Sequence, residues 1–351
     1  MNRPWIGILM ALFFVGLVGW SSKKSDGEWP ARPVKVVVPF AAGGGSDSFA
    51  RQLILVIQDK GLFRQPMVVI NVEGAGGTIG SRRVRNARPD GYTMLMLHEG
   101  ILTAHYSGSV SYGPEAFQAV AGTGRMAMVI AVRDDSPIRN LKQAMVDWPI
   151  QGRPLNFAVN MGAPSHFAGL ILEKSRVGVA FNFVQFGGGA NRFAALTGGH
   201  ADLSIFSVEE FLRYQGGGLR ALAVLSPERH PAIPQVKTAR EQGFDLVYSS
   251  MHFWWMPKGT PAAVCDRMAD VIEEAMATTE MKKNLAESST EPVILRGEAL
   301  AGELRKRDGE ISGVSLRKSA VLPNFPFWMM VATVLLIPFI VWIYLARSPS
   351  E

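Results

Sequence analysis

An α/β fold is predicted by three features of the chain. Short β-branched apolar runs recur between segments of helical periodicity, glycine-rich loops sit where such a run hands over to a helix, and the strands read as almost continuously apolar. Strands of that kind joined by helices predict parallel sheets covered on both faces.

The elements follow in order. "VKVVVPF" reads as a strand and "SFARQLILVIQDKG" as a helix ending at Gly61; "PMVVINV" and "YTMLMLH" are further strands, separated by a helix that begins near Thr78. "MAMVIAVRDD" reads as another strand, and the Ser-Pro that opens "SPIRNLKQAMVDW" marks a helix start. Strands and helices then alternate through "PLNFAVN", "SHFAGLILEKS", "VAFNFVQF", "NRFAALTGG", "ADLSIFS" and "RALAVLS". The aromatic run "HFWWMP", residues 252–257, reads as strand core.

Composition narrows the function. The 351 residues suffice for two domains, and the net charge of +6 is spread along the chain, with the short cluster "SRRVRNAR" lacking interleaved aromatics. A nucleic-acid surface is not expected. The single cysteine, Cys265, rules out an internal disulfide, and six scattered histidines offer no metal-ligand spacing. No metal and no cofactor are expected.

Both ends are apolar. Residues 1–22 contain the uncharged run "PWIGILMALFFVGLVGW" after Arg3, the pattern of an export signal, either cleaved or kept as an N-terminal anchor. Residues 325–346, "FPFWMMVATVLLIPFIVWIYLA", carry no charge, and a helix of that length at ~1.5 Å per residue covers a bilayer. Trp328, Trp342 and Tyr344 lie toward its ends as interfacial aromatics do, so a transmembrane helix is predicted, with residues 317–324 as a linker. Arg347 beyond it fits a cytoplasmic C-terminus and a main domain outside.

The glycine loops carry the chemistry. Four times a strand runs into one: "PFAAGGGSD", "NVEGAGGTIG", "NMGAPSH" and "QFGGGANR". The first N–H groups of the helix that follows have no internal partner, and the helix dipole adds positive charge, so an anion fits. Glycine lets it come close to the backbone. Phosphate is disfavoured, because no lysine follows "GGGSDS" and because Asp47 already brings negative charge to the first helical turn. A monocarboxylate, or one also carrying an amide or amino group, suits the loop better. Asp47 also reads as a helix cap, and Thr78 as a cap that lines the cleft. Phe40 and Phe206, at strand ends, are candidates for its walls.

The stretches "VKVVVPFAAGGGSDSFAR", "NVEGAGGTIG", "ARPDGYTML", "GGGANRFAALTGGHADL", "LRALAVLSPERHPAIPQVKTAREQG" and "MPKGTP" fall in this order over residues 29–315. The ordered set resembles the solute-binding receptors of tripartite tricarboxylate transporters, the Bug-type proteins. The resemblance implies a two-lobed periplasmic binding protein of type II-like α/β fold that closes on a small carboxylate and delivers it to membrane permease subunits. It implies a first binding loop of Phe40, Ala41, Ala42, Gly43, Gly44, Gly45, Ser46 and Asp47. The second-lobe loop falls on Gly162, Ala163, Pro164, Ser165 and His166, and Gly77, Gly188 and Gly189 complete the expected ligand-binding set. Two departures stand out: Ala163 and Pro164 replace the family's hydroxyl residues, and Gly187 stands at the place of a common lysine.

The expected lobes are residues 31–131 with 249–316, and residues 132–248, with crossings near 131–136 and 247–254. The C-terminal run implies the lipid bilayer as a further partner and a site at the periplasmic face of the inner membrane. Two other classes fit less well. A membrane-tethered sensor would use the same receptor, and a small-ester hydrolase would need Ser46 or Ser165 with His166 and Asp47 as a triad, without a GxSxG elbow.

Overall fold

The computed structural model describes residues 29–148 and 153–314. The expected export segment at 1–22, the linker at 317–324 and the membrane span at 325–346 lie outside them. No helix among the described residues is long and apolar enough to cross a membrane.

Strand β1 (Val34–Val38) is stopped by Pro39, and it pairs in parallel with β2 (Met67–Asn71) on one side and β3 (Thr93–Leu97) on the other. Helix α1 (Gly45–Asp59) returns from β1 and buries Phe49, Ala50, Leu53, Val56 and Ile57, one face at helical spacing. Helix α2 (Thr78–Arg85) crosses the end of β1 so closely that a Cβ at Gly80 would stand 2.7 Å from Pro39 Cβ. Helix α3 (Gly100–Tyr106) follows β3.

Strand β4 (Phe117–Arg133) belongs to two sheets. Phe117–Ala127 runs antiparallel to β9 (Ser249–Pro257) and, at its other edge, to β10 (Thr290–Leu295), in the sheet that holds β1–β3. Met128–Arg133 runs between β7 (Leu203–Ser207) and β8 (Leu219–Val224), both antiparallel to it, in the second sheet. The chain changes sheet between Ala127 and Met128 and returns to the first sheet at Ser249. Just before the changeover the register shifts around Gly124, whose φ of +61° and near contact with the Phe49 ring both require glycine.

The second sheet continues through β5 (Leu155–Val159) and β6 (Phe181–Gln185), with β5 parallel to β6 and β7. Helices α4 (Pro164–Lys174), α5 (Gly189–Thr197) and α6 (Val208–Gln215) follow β5, β6 and β7. Helices α7 (Ala262–Ala277), α8 (Thr279–Glu287) and α9 (Gly297–Ser312) return the chain to the first sheet. Trp254, Met256, Val271 and Ile272 join the α1 side chains in its core, while Phe157, Leu172 and Ile205 anchor the core of the second.

One expectation is corrected: the sheets are mixed, because β4, β8, β9 and β10 pair antiparallel. The segment "SPIRNLKQAMVDW" becomes helical at Leu141, a few residues after its Ser-Pro opening, and runs as a π-helix over Gln143–Asp147. Asn140 Oδ1 accepts from Gln143 N (2.8 Å) at that start, while ahead of it Ser136 Oγ accepts from Ile138 N (3.2 Å) and Gln143 Oε1 from Arg139 N (2.6 Å).

Candidate functional site

The first loop is shaped from beneath by Asp47. Its carboxylate is 2 % exposed. Oδ2 accepts from the Gly43 N–H (2.8 Å) and from Arg51 Nε (2.9 Å), and Oδ1 accepts from Asn71 Nδ2 (2.9 Å). The Asn71 amide also donates to Phe40 O (3.0 Å), tying β2 to the loop. Burial opposes ionisation, but the bonds from Arg51, Gly43 and Asn71 outweigh it and hold the carboxyl below its usual range. Gly43, at φ +79°, takes a conformation that a side chain would strain. Gly44 then starts α1 without any side-chain cap, leaving first-turn amides at an exposed Gly45 and a half-buried Ser46. Ala41 and Ala42 are exposed, and Phe40 is half-buried with its ring 5.0 Å from that of His98.

The second loop is built the same way. Gly162, at φ +73°, donates its N–H to His166 Nδ1 (3.2 Å), and Asn160 N donates to Ser165 Oγ (3.0 Å). His166 is buried, lies edge-on to Phe183 at 4.9 Å, and is pushed by burial below the ordinary imidazole range. His166 and Ser165 thus fix the loop's shape. Ala163 and Pro164 begin α4, again uncapped. This loop lies against α3, since a Cβ on Gly162 would stand 2.9 Å from Ser107 Oγ.

The other expected residues divide. Gly188 caps α5 by backbone alone, and Gly189 is its first residue. Gly77 is buried at φ +94°, and Thr78 turns its hydroxyl onto Ala75 O (2.9 Å), so neither presents a polar side chain to a ligand. Phe206 has no exposed surface; it sits in the core of the second sheet with Phe211 beneath the Arg192 guanidinium, and is no cleft wall in this conformation. The imagined triad is not assembled, because Asp47, Ser165 and His166 each bond other partners.

Four residues that the sequence did not single out complete the region. His252, on β9, reaches Ser46 Oγ with Nε2 at 3.3 Å and stacks on Phe49 at 4.5 Å. Burial, helped by nearby His98, pushes its ring down to about 3, so it is neutral. His98 ends β3 and accepts the Gly100 N–H at Nδ1 (3.1 Å). Glu209 and Glu210 head α6. Glu209 Oε2 lies 3.9 Å from the place of a Gly45 Cβ, and Glu210 Oε1 lies 2.2 Å from that of a Gly189 Cβ, so the pair brings negative charge to both glycine loops. Burial raises Glu209 above the usual carboxylate range, against Arg213 and with help from Glu210. "SVEE" is the S-x-x-E signature of a capping box, and one forms between Ser207 and Glu210. Arg192, buried behind the Gly187–Gly189 loop, donates to Gly187 O (2.9 Å) and Ile205 O (3.2 Å).

Comparison with known proteins agrees with this geometry. Residues 49–307 match the tripartite tricarboxylate transporter family receptor, TctC. Protein BugT of Bordetella pertussis is 28% identical over 316 residues, 88% of this chain and 96% of that one. Among solved structures, the periplasmic binding protein BugD is 30% identical with a TM-score of 0.71, over 82% of this chain and 97% of that one. MatC of Rhodopseudomonas palustris, solved with bound malate, is 26% identical with a TM-score of 0.72, over 82% and 100%. The fold is therefore the α/β fold of periplasmic binding proteins, and the chain belongs to the TctC family of solute-binding receptors.

Proposed function

We propose that this receptor captures a small carboxylate of low net charge between two lobes and hands it to the permease subunits of a tripartite transporter. The observation that carries this reading is where the uncapped helix starts fall. α1, α2, α4 and α5 each follow a parallel strand through one of the four glycine loops and start without a side-chain cap; α3, α7 and α9 are also uncapped but follow none of those loops, and α6 and α8 are capped by Ser207 and Thr278. Uncapped first-turn amides at the C-terminal ends of parallel strands are what an organic anion needs. MatC, a relative of the same fold, holds malate.

The lobes expected over residues 31–131 with 249–316 and over 132–248 are taken to be built on the two sheets that share β4, with Met128–Ala131 belonging to the second. Ligand contacts come from the amides of Gly45 and Ser46, from the Gly162–His166 loop and from Gly188–Gly189, while the Gly44 N–H donates to Ala41 O (3.3 Å). Glu209 and Glu210 select against highly charged anions, because a second or third carboxylate beside them meets repulsion in a partly desolvated cleft. The apolar run at 325–346 holds the receptor at the periplasmic face of the inner membrane, raising its concentration near the permease.

A thermal-shift screen of the full chain against mono-, di- and tricarboxylates is the test, since a ligand bound to the folded state stabilises it by mass action. A stabilising monocarboxylate or dicarboxylate is expected; stabilisation by none of them, or by tricarboxylates alone, contradicts the reading.

A further inference from the structure

We propose that His252 is a positioning residue for the binding site: its neutral ring donates the Nε2 proton to Ser46 Oγ, which frees the serine's own O–H to donate to the ligand carboxylate. This rests on the carboxylate-receptor reading above.

The ring has one place to be. It is 2 % exposed, stacked on Phe49 at 4.5 Å, and carried by β9 opposite Thr123 of β4. Nε2 is 3.3 Å from Ser46 Oγ, while Nδ1 is buried with no hydrogen-bond partner. A neutral imidazole carries its proton on one nitrogen. Were it on Nδ1, a buried N–H donor would have no acceptor, a state more costly and rarer than a buried lone pair without a donor. The proton therefore belongs on Nε2, where Ser46 Oγ accepts it. Burial and the neighbouring His98 keep the ring from taking a second proton near neutral pH.

The consequence falls on Ser46. Its hydroxyl stands in the uncapped first turn of α1, between Gly45 and Asp47, and His252 holds its oxygen. With the oxygen accepting from His252, the O–H is left free to donate to another partner. A serine that instead donated to Nε2 would present only a lone pair to an anion, which repels it. The histidine thus sets the polarity of the one hydroxyl in the first loop, and it does so from β9.

The direct test is a nitrogen NMR spectrum of the full chain labelled at histidine, taken between about pH 6 and pH 8. The expected result is a non-titrating His252 ring protonated at Nε2; an Nδ1–H tautomer, or a ring that titrates in this range, overturns the proposal. Calorimetry with malate as probe tests the consequence. His252→Phe is expected to weaken binding about tenfold, while His252→Gln, which keeps a terminal N–H, stays within about threefold. In a Ser46→Ala background the two variants become equal. A His252→Phe penalty that persists without the serine overturns the mechanism. A wild-type chain that binds no carboxylate defeats the receptor reading instead, and the spectrum then decides the direction of the hydrogen bond alone.

Discussion

At the scale of single residues, the charges of the region do different work. Asp47 shapes the first loop from inside, whereas Glu209 meets it from the other sheet. Asp47→Asn loses the charge that Arg51 and the Gly43 N–H oppose, and is expected to lower stability by about 2 kcal/mol at neutral pH. Because the folded carboxyl titrates below its unfolded value, that stabilisation is fully present above about pH 4 and is lost as pH falls through the folded value. Thermal midpoints of the wild type and Asp47→Asn should therefore converge on acidification; a gap that stays constant to acid pH contradicts this role. Glu209→Gln removes repulsion, and calorimetric titration should show dicarboxylates binding about tenfold more tightly. The sequence placed Asp47 at the helix start but left open whether it was cap or ligand neighbour. Arg51 reaches it as an i,i+4 neighbour on the same helix, but only the fold brings Asn71 to it, and only the fold sets Glu209 opposite Gly45. His252 lay hidden for another reason: the buried aromatic run around it reads as core, and every residue of β9 from Ser250 to Pro257 is in fact buried.

At the scale of elements, the glycine loops were legible because each sits where an apolar run meets a helix, a junction that local sequence defines. Helix starts were placed within a few residues at Gly45, Thr78, Pro164 and Gly189. Pairing was not legible, since β4 and β9 read as apolar strands whether their neighbours are parallel or antiparallel. The Gly187–Gly189 loop shows how an element can depend on a distant one. A methyl on Gly189 would occupy the space of Glu210 Oε1, and Glu210 cannot swing away freely because Oε2 accepts the Ser207 N–H (3.2 Å) in the capping box. Gly189→Ala is therefore expected to cost about 1 kcal/mol, the value of a cap, measured by denaturant unfolding. Ser207→Ala should cost as much alone and little more in combination; additive costs would separate the two sites.

At the scale of the molecule, the chain passes from the first sheet to the second in β4 and comes back at β9, and a buried charge network lies beside that return. Glu99 accepts from Tyr248 Oη (3.0 Å) and Ser250 Oγ (3.0 Å) and stands 3.7 Å from Arg307 Nη1, which donates to Ser249 O (2.7 Å). Helix α9 is thereby fixed to the start of β9. Arg307→Met leaves Glu99 buried without its cation and is expected to destabilise the chain by about 3 kcal/mol in denaturant unfolding. The central claim, that main-chain amides of the glycine loops hold a small carboxylate, is tested most directly at Gly44, where a side chain stands between ligand and backbone. Calorimetric titration of the full chain with the carboxylate that stabilises it best should give one bound ligand per wild-type chain and none for Gly44→Val, with both proteins unfolding at similar temperatures. Equal binding by a folded Gly44→Val would contradict the account.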